Sequence, residues 1–252
     1  ATSGLLDPSR SAVVDPNPSD SILRMCAAVG ITVNPVDDGD GYDLCVLAVK
    51  PQLFPTVLPD QFWPNMDKTL FISIAAGMKI QDIGHLLKEK TEAARVIRTM
   101  PNLPAAIGQG TTLLTGGKNV TEKDRLRTTA LFDAAGKTQW CSSEEQLDRL
   151  MGVSGCGPAF VFLLAEALEE AARAQGATPD AARFLAEATL VGAANHLKAD
   201  GRPAGELREA VTSPGGTTAA GLSVLDSKEV GFRLLINQAV EAAFARAKEL
   251  SG

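Results

Sequence analysis

A chain of 252 residues, 45% hydrophobic and 21% charged, carries enough apolar side chain for one large domain or two smaller ones. Its net charge of −6, with acidic and basic residues intermixed, argues against a nucleic-acid surface and for a soluble globular protein. Two histidines and four scattered cysteines without a CxxC pair argue against histidine catalysis, a metal centre and a disulfide framework, and for a reducing compartment, read here as cytoplasmic. No uninterrupted apolar stretch approaches the ~18 to 20 residues of a membrane span, and no charged-then-apolar leader opens the sequence. Chemistry without histidine is then expected to come from a cofactor.

The first half alternates short apolar runs with helical patterns. Ser11 to Asp15 reads as a strand stopped by Pro16-Asn17-Pro18, and Ser19 or Asp20 caps a helix running toward Gly30. Asp43 to Val49 is a nearly continuous apolar strand, followed by a helical stretch from Leu53 to Phe62. Leu70 to Ala76 is a second buried strand, Lys79 to Leu87 a helix, and Arg95 to Met100 and Thr111 to Thr115 two further strands. A helix from Thr121 to Ala135 leads to a last strand, Lys137 to Cys141. Alternation of this kind predicts an α/β domain with a mostly parallel, doubly wound sheet.

After Ser142 no strand signal remains. Helices are expected from Gly157-Pro158, from Thr178-Pro179-Asp180, where threonine caps and proline takes the first helical position, from Pro203, from Thr218, and from Glu229 to Leu250. These helices are rich in alanine and apolar on more than one face, whereas a lone helical domain shows a polar outer face on each helix. The surplus predicts burial against a second subunit.

Three strand ends stand out. Ala48-Val49-Lys50-Pro51 ends in a cation before proline; alone it reads as a plain strand exit. Ser73-Ile74-Ala75-Ala76-Gly77 ends in small residues, which admit a cofactor ring close to the backbone or simply a tight turn. Met100-Pro101-Asn102-Leu103-Pro104 holds a side-chain amide on a stiff loop. Ligands of doubly wound sheets sit beyond the carboxyl ends of the strands, so three unusual ends in a row carry more weight than any one. Ser154-Gly155-Cys156-Gly157-Pro158 reads first as a close helix-packing segment, with a pocket contribution second.

Thr212-Ser213-Pro214-Gly215-Gly216-Thr217-Thr218 is the most informative segment. Pro-Gly-Gly forces a turn and turns backbone amides toward an anion, Thr217 or Thr218 caps the following helix, and hydroxyls crowd around. A lone Gly-Gly would be an ordinary loop; four hydroxyl residues around it predict a carboxylate site at a helix N-terminus.

In this order the segments resemble pyrroline-5-carboxylate reductase over essentially the whole chain, the last segment being the most specific. The resemblance implies a Rossmann-type domain over 1–142 and an all-helical substrate-binding and dimerisation domain over 143–252, with dimers often assembling into rings. It implies reduction of 1-pyrroline-5-carboxylate to L-proline by NADPH or NADH. On the substrate side it implies Ser213, Gly215, Gly216, Thr217 and Thr218, with Thr218 near the ring nitrogen as the catalytic hydroxyl. On the cofactor side it implies Asn34, Ala48, Val49, Lys50, Pro51, Ala75, Ala76, Gly77 and Asn102. Asp15, at a strand end, leans toward NADH, while Asn17 and Ser19 would suit a 2′-phosphate. There is no metal, nucleic acid or membrane in this reading.

Three departures accompany it. No G-x-G-x-x-G is present, and Ala1 to Leu6 resembles the helix that should follow that loop, so the first strand and phosphate-binding turn are expected to lie outside this sequence. Cys156 stands where the family usually has serine, and Leu103 where threonine is common. Two competing readings remain: a 3-hydroxyacid dehydrogenase, which would place a catalytic lysine between Phe160 and Gln175, where there is none, and a noncatalytic dimeric binding protein.

Overall fold

The strands of the first half form two sheets in the computed structural model, which describes residues 4–35, 41–55, 68–88 and 94–250. β1 (Ala12–Val13) and β2 (Thr32–Val33) pair with each other in parallel. The larger sheet runs in the order β3 (Leu44–Leu47), β4 (Leu70–Ser73), β5 (Arg95–Met100), β6 (Gly110–Gly116) and β7 (Gly136–Trp140). Its neighbours are parallel except β5 and β6. Helices α1 (Asp20–Val29), α2 (Ile80–Lys88) and α3 (Glu122–Asp133) fall between strands, as the alternation predicts.

β4 is buried along its whole length because both faces of the sheet are covered. Phe71 and Val96 pack with Leu47, Ile83 and Leu87 on one side. Leu70, Ile72, Ile97 and Leu114 pack with Leu131, Phe132 and Trp140 on the other. The period-two alternation of the strands therefore feeds two cores, one beneath α2 and one beneath α3. Local signals act as read: Ser19 Oγ accepts the Ile22 N–H at the start of α1, and Gly30, at φ 75°, ends it.

Several expectations need correction. The strand at Ser11 to Asp15 shortens to Ala12–Val13, and its partner β2, two residues long, is too short to announce itself by periodicity. Residues 4–6 form no helix; Asp7 accepts the Ser9 N–H and opens a 3₁₀ turn at Pro8–Arg10, and Pro8 keeps Asp7 extended. The helix expected from Leu53 begins as a 3₁₀ turn at Pro51–Leu53, and from residue 56 it lies outside the described residues. A further helix, α4 (Glu144–Ser154), was not expected. Its start is nonetheless written in the chain: Ser143 Oγ accepts the Gln146 N–H and two glutamates occupy the first turn.

The chain divides into two compact units, one holding the described residues up to Met151 with those from Ala247 onward, the other Gly152–Arg246. The second unit is helical: α5 (Gly157–Ala174), α6 (Pro179–Asp200), α7 (Ala204–Ala210), α8 (Thr217–Leu225) and α9 (Phe232–Leu250), the last running past the unit's end. Helix α8 begins one residue before the expected Thr218, and α9 three residues after the expected Glu229. Thr178 Oγ1 caps α6 as predicted, and Gly201 in the left-handed region ends it. A side-chain carbon at Gly152 would lie 3.1 Å from the Val240 carbonyl oxygen, so glycine is what lets α4 and α9 come this close. Much of the apolar surface here stays uncovered: Phe162 is 54% exposed and Phe184 68%. Among the described residues, the span Glu144–Ala174 is long and apolar enough to cross a membrane by length and composition, a property hidden from a search for uninterrupted apolar runs. One such helix is weak evidence for a membrane, since a helix that packs on other protein has the same composition.

Candidate active site

Strands β3, β4 and β5 run parallel and in register, with Leu47 opposite Ser73 and Ser73 opposite Arg98. Their carboxyl ends therefore emerge side by side, and Ala48 to Pro51, Ala75 to Gly77 and Met100 to Asn102 follow along one sheet edge. Lys50 is exposed, extended, and without an ion-pair partner among the described residues; Pro51 opens the next turn. Ala75 donates its N–H to Ser73 Oγ at 3.2 Å. Gly77 has φ 80°, a conformation that keeps the turn tight and free of side chain. Asn102 Oδ1 accepts the Thr111 N–H at 2.8 Å, which anchors the amide between β5 and β6.

Asn34 behaves differently. Its amide is paired with the Asp15 backbone, accepting the N–H at 2.9 Å and donating to the carbonyl at 2.7 Å. It takes φ 50°, which asparagine tolerates better than most residues. Asn34 thus stitches the ends of β1 and β2, and the Asp15 carboxylate accepts the Asn17 N–H at 2.9 Å.

In the helical unit, the Ser213 carbonyl accepts the Gly216 N–H at 3.0 Å with Pro214 and Gly215 between them, Gly215 at φ 70°. Proline second and a left-handed glycine third are the residues of a type II turn. Thr212 Oγ1 donates to the Arg208 carbonyl at 2.6 Å, tying the loop to the end of α7. The expected cap changes hands: Gly216 is the N-cap of α8, and Thr217 and Thr218 are its first helical residues. No side chain caps α8, so its leading N–H groups are available to an anion. Ser213, Gly215, Thr217 and Thr218 are all exposed, whereas the Gly216 N–H is spent on closing the turn.

The residues nominated from sequence thus fall in two places of different kinds: a sheet edge that presents a cation, a bare glycine turn and an anchored amide, and a loop with an uncapped helix start. The family model for pyrroline-5-carboxylate reductase dimerisation matches residues 144–250. The chain is 40% identical to a pyrroline-5-carboxylate reductase of Glycine max over 88% of its own length and 79% of the relative's. The chain belongs to the pyrroline-5-carboxylate reductase family. A reductase of this family from Coxiella burnetii superposes with a TM-score of 0.85 at 35% identity, covering 98% of this chain and 90% of the other. One from Plasmodium falciparum, with NADP bound, superposes at 0.81 with 25% identity, covering 100% and 91%.

Against that family pattern, Leu103 opens a 3₁₀ turn and is largely exposed, and Cys156 sits at the start of α5 without capping it. His85 and His196 are exposed, and His196 lies 3.9 Å from Asp200 on the same helix. Among the described residues no cluster of potential metal ligands occurs. A cavity of about 720 Å³ beside α2, lined by His85, Lys118, Ser143 and Glu144, contains none of the residues nominated from sequence. Sequence reading also passed over Arg98, the largest fully buried side chain, whose signal was a charge placed inside an apolar strand.

Proposed function

We propose that this chain reduces 1-pyrroline-5-carboxylate to L-proline with NADPH or NADH. In this reading 1–142 holds the cofactor, while 143–252 holds the substrate and dimerises. The uncapped start of α8 behind the Ser213–Gly216 turn is the observation that carries the reading. A carboxylate placed there meets the N–H groups of Thr217 and Thr218 and the positive end of the helix. Ser213 adds a hydroxyl donor, and Gly215 and Gly216 keep the approach clear of side chains. Anchoring the carboxylate fixes the ring, and Thr218, the second residue of α8, offers its hydroxyl to the ring nitrogen.

Bound at the other surface, the nicotinamide supplies a hydride to the imine carbon. In this reading Lys50 serves a cofactor phosphate or ribose, Ala48, Val49, Pro51 and Ala75 to Gly77 allow close backbone approach, and Asn102 orients the cofactor. Asn34 contributes on the cofactor side by holding the Asp15 segment at the ends of β1 and β2. A protonated cyclic imine accepts hydride without a strong protein acid, so the chain's task is orientation and exclusion of unproductive poses. The helical unit works as a homodimer, with further assembly into a ring, in the cytoplasm.

Replacing Ser213 by alanine should raise the substrate KM about tenfold to a hundredfold with little change in kcat, the value of one hydrogen bond to a charged group. Thr218→Ala should lower kcat instead, by about tenfold or more. Wild-type steady-state kinetics in both variants would remove the loop from the site.

A further inference from the structure

Arg98 takes no part in that scheme, yet it is 1% exposed in the middle of the sheet unit. It lies on β5, separated from Met100 only by Thr99. Its Nη2 donates to Asp148 Oδ1 at 2.6 Å and its Nη1 to Glu144 Oε1 at 3.4 Å, both partners lying on α4. The same Glu144 oxygen accepts the backbone N–H of Ile80, the first residue of α2, at 2.9 Å. Ile80 in turn is separated from Gly77 only by Met78 and Lys79. One carboxylate oxygen therefore joins the strand that delivers the Met100 to Asn102 turn to the helix that leaves the Ala75 to Gly77 turn.

A buried guanidinium must be paired, and charge-assisted bonds of this kind hold their partners to a narrow geometry. The cap on α2 is supplied from another helix, across 64 residues of chain, since Lys79 is not a capping residue. We infer that Glu144, held by Arg98 and seconded by Asp148, is a positioning residue for the nicotinamide cofactor: it sets the spacing of the two turns that flank it. This rests on the reading above that those turns carry the cofactor.

The test uses full-length protein, with NADPH binding followed by its fluorescence in the absence of substrate and steady-state kinetics alongside. Glu144→Ala should weaken NADPH binding about fivefold to tenfold, less than the full worth of a charge-assisted hydrogen bond because the cofactor feels its loss only through the spacing of the two turns. The KM for pyrroline-5-carboxylate should stay within about twofold, because the substrate loop is built elsewhere. Glu144→Gln keeps an acceptor for the Ile80 N–H and should lose only about twofold to threefold. Glu145→Ala, whose side chain pairs with Arg149 on the surface of α4, should bind NADPH as the wild type does. An unchanged NADPH affinity in Glu144→Ala, or equal losses for cofactor and substrate, overturns the inference. If Glu144→Ala does not fold, Glu144→Gln decides alone: a cofactor-only loss supports it and wild-type affinity overturns it. Lys50→Ala and Asn102→Ala separate the underlying reading, which fails if neither changes NADPH affinity.

Discussion

In the sheet unit Phe71, Ile72, Ile97 and Leu114 are wholly buried by their own chain, whereas in the helical unit Phe162, Leu163 and Phe184 remain more than half exposed. Both units draw on the same kinds of apolar side chain. The sheet covers its strands with helices on either face, while the helical unit leaves apolar faces open along α5 and α6. Burying one such phenylalanine is worth about 1.5 to 3 kcal/mol, so a second copy covering these faces would supply much of that unit's stability. Stability of the first unit should then be independent of protein concentration, and that of the second should follow it.

The sharpest way to break this contrast is Phe162→Glu combined with Phe184→Glu. On a free surface such changes stay within about 0.5 kcal/mol, but buried in an interface they should cost about 4 kcal/mol or more and shift the light-scattering mass to that of a monomer. An unchanged dimeric mass would mean those faces are not the interface. Next in size, Ile72→Ala should destabilise the sheet unit by about 2 to 5 kcal/mol in chemical denaturation at any protein concentration.

A smaller effect concerns Asp124, which closes the capping box of α3 with Thr121 and pairs with Arg95 at 2.7 Å. Burial pushes its carboxyl up, but hydrogen bonds from Thr121 and the Arg95 charge outweigh this and hold it below the ordinary value. The ionised form thus stabilises the fold above about pH 3.9 and the contribution disappears as pH falls through the lowered folded value. Asp124→Asn should cost about 1 kcal/mol near neutral pH and little in strong acid, read as converging denaturation midpoints. Of similar size, Gly215→Ala forces a side chain into the left-handed region and should cost about 1 kcal/mol, raising the substrate KM with an unchanged cofactor KM.

How legible each region was follows from the range of its interactions. Strands β3 to β5 and α5 and α6 announce themselves through apolar periodicity and local caps, and the Ser213–Gly216 turn through proline and glycine whose dihedral demands are local. Nothing in the chain reveals what Asn34 pairs with, the Asp15 backbone across two strand ends. The cap of α8 was misassigned to a threonine because hydroxyls usually cap, yet Gly216 holds that place and leaves the amides open. The Arg98 network was invisible for a different reason: its partners lie 46 and 50 residues away, on α4, a helix that was not expected.

Substrate-dependent oxidation of NADPH and NADH by the full-length chain tests the central claim most directly. Steady turnover with pyrroline-5-carboxylate, producing proline and depressed in Thr218→Ala, is the predicted result. Binding of a nicotinamide cofactor with no proline formed from either one would contradict it and leave a binding protein in its place.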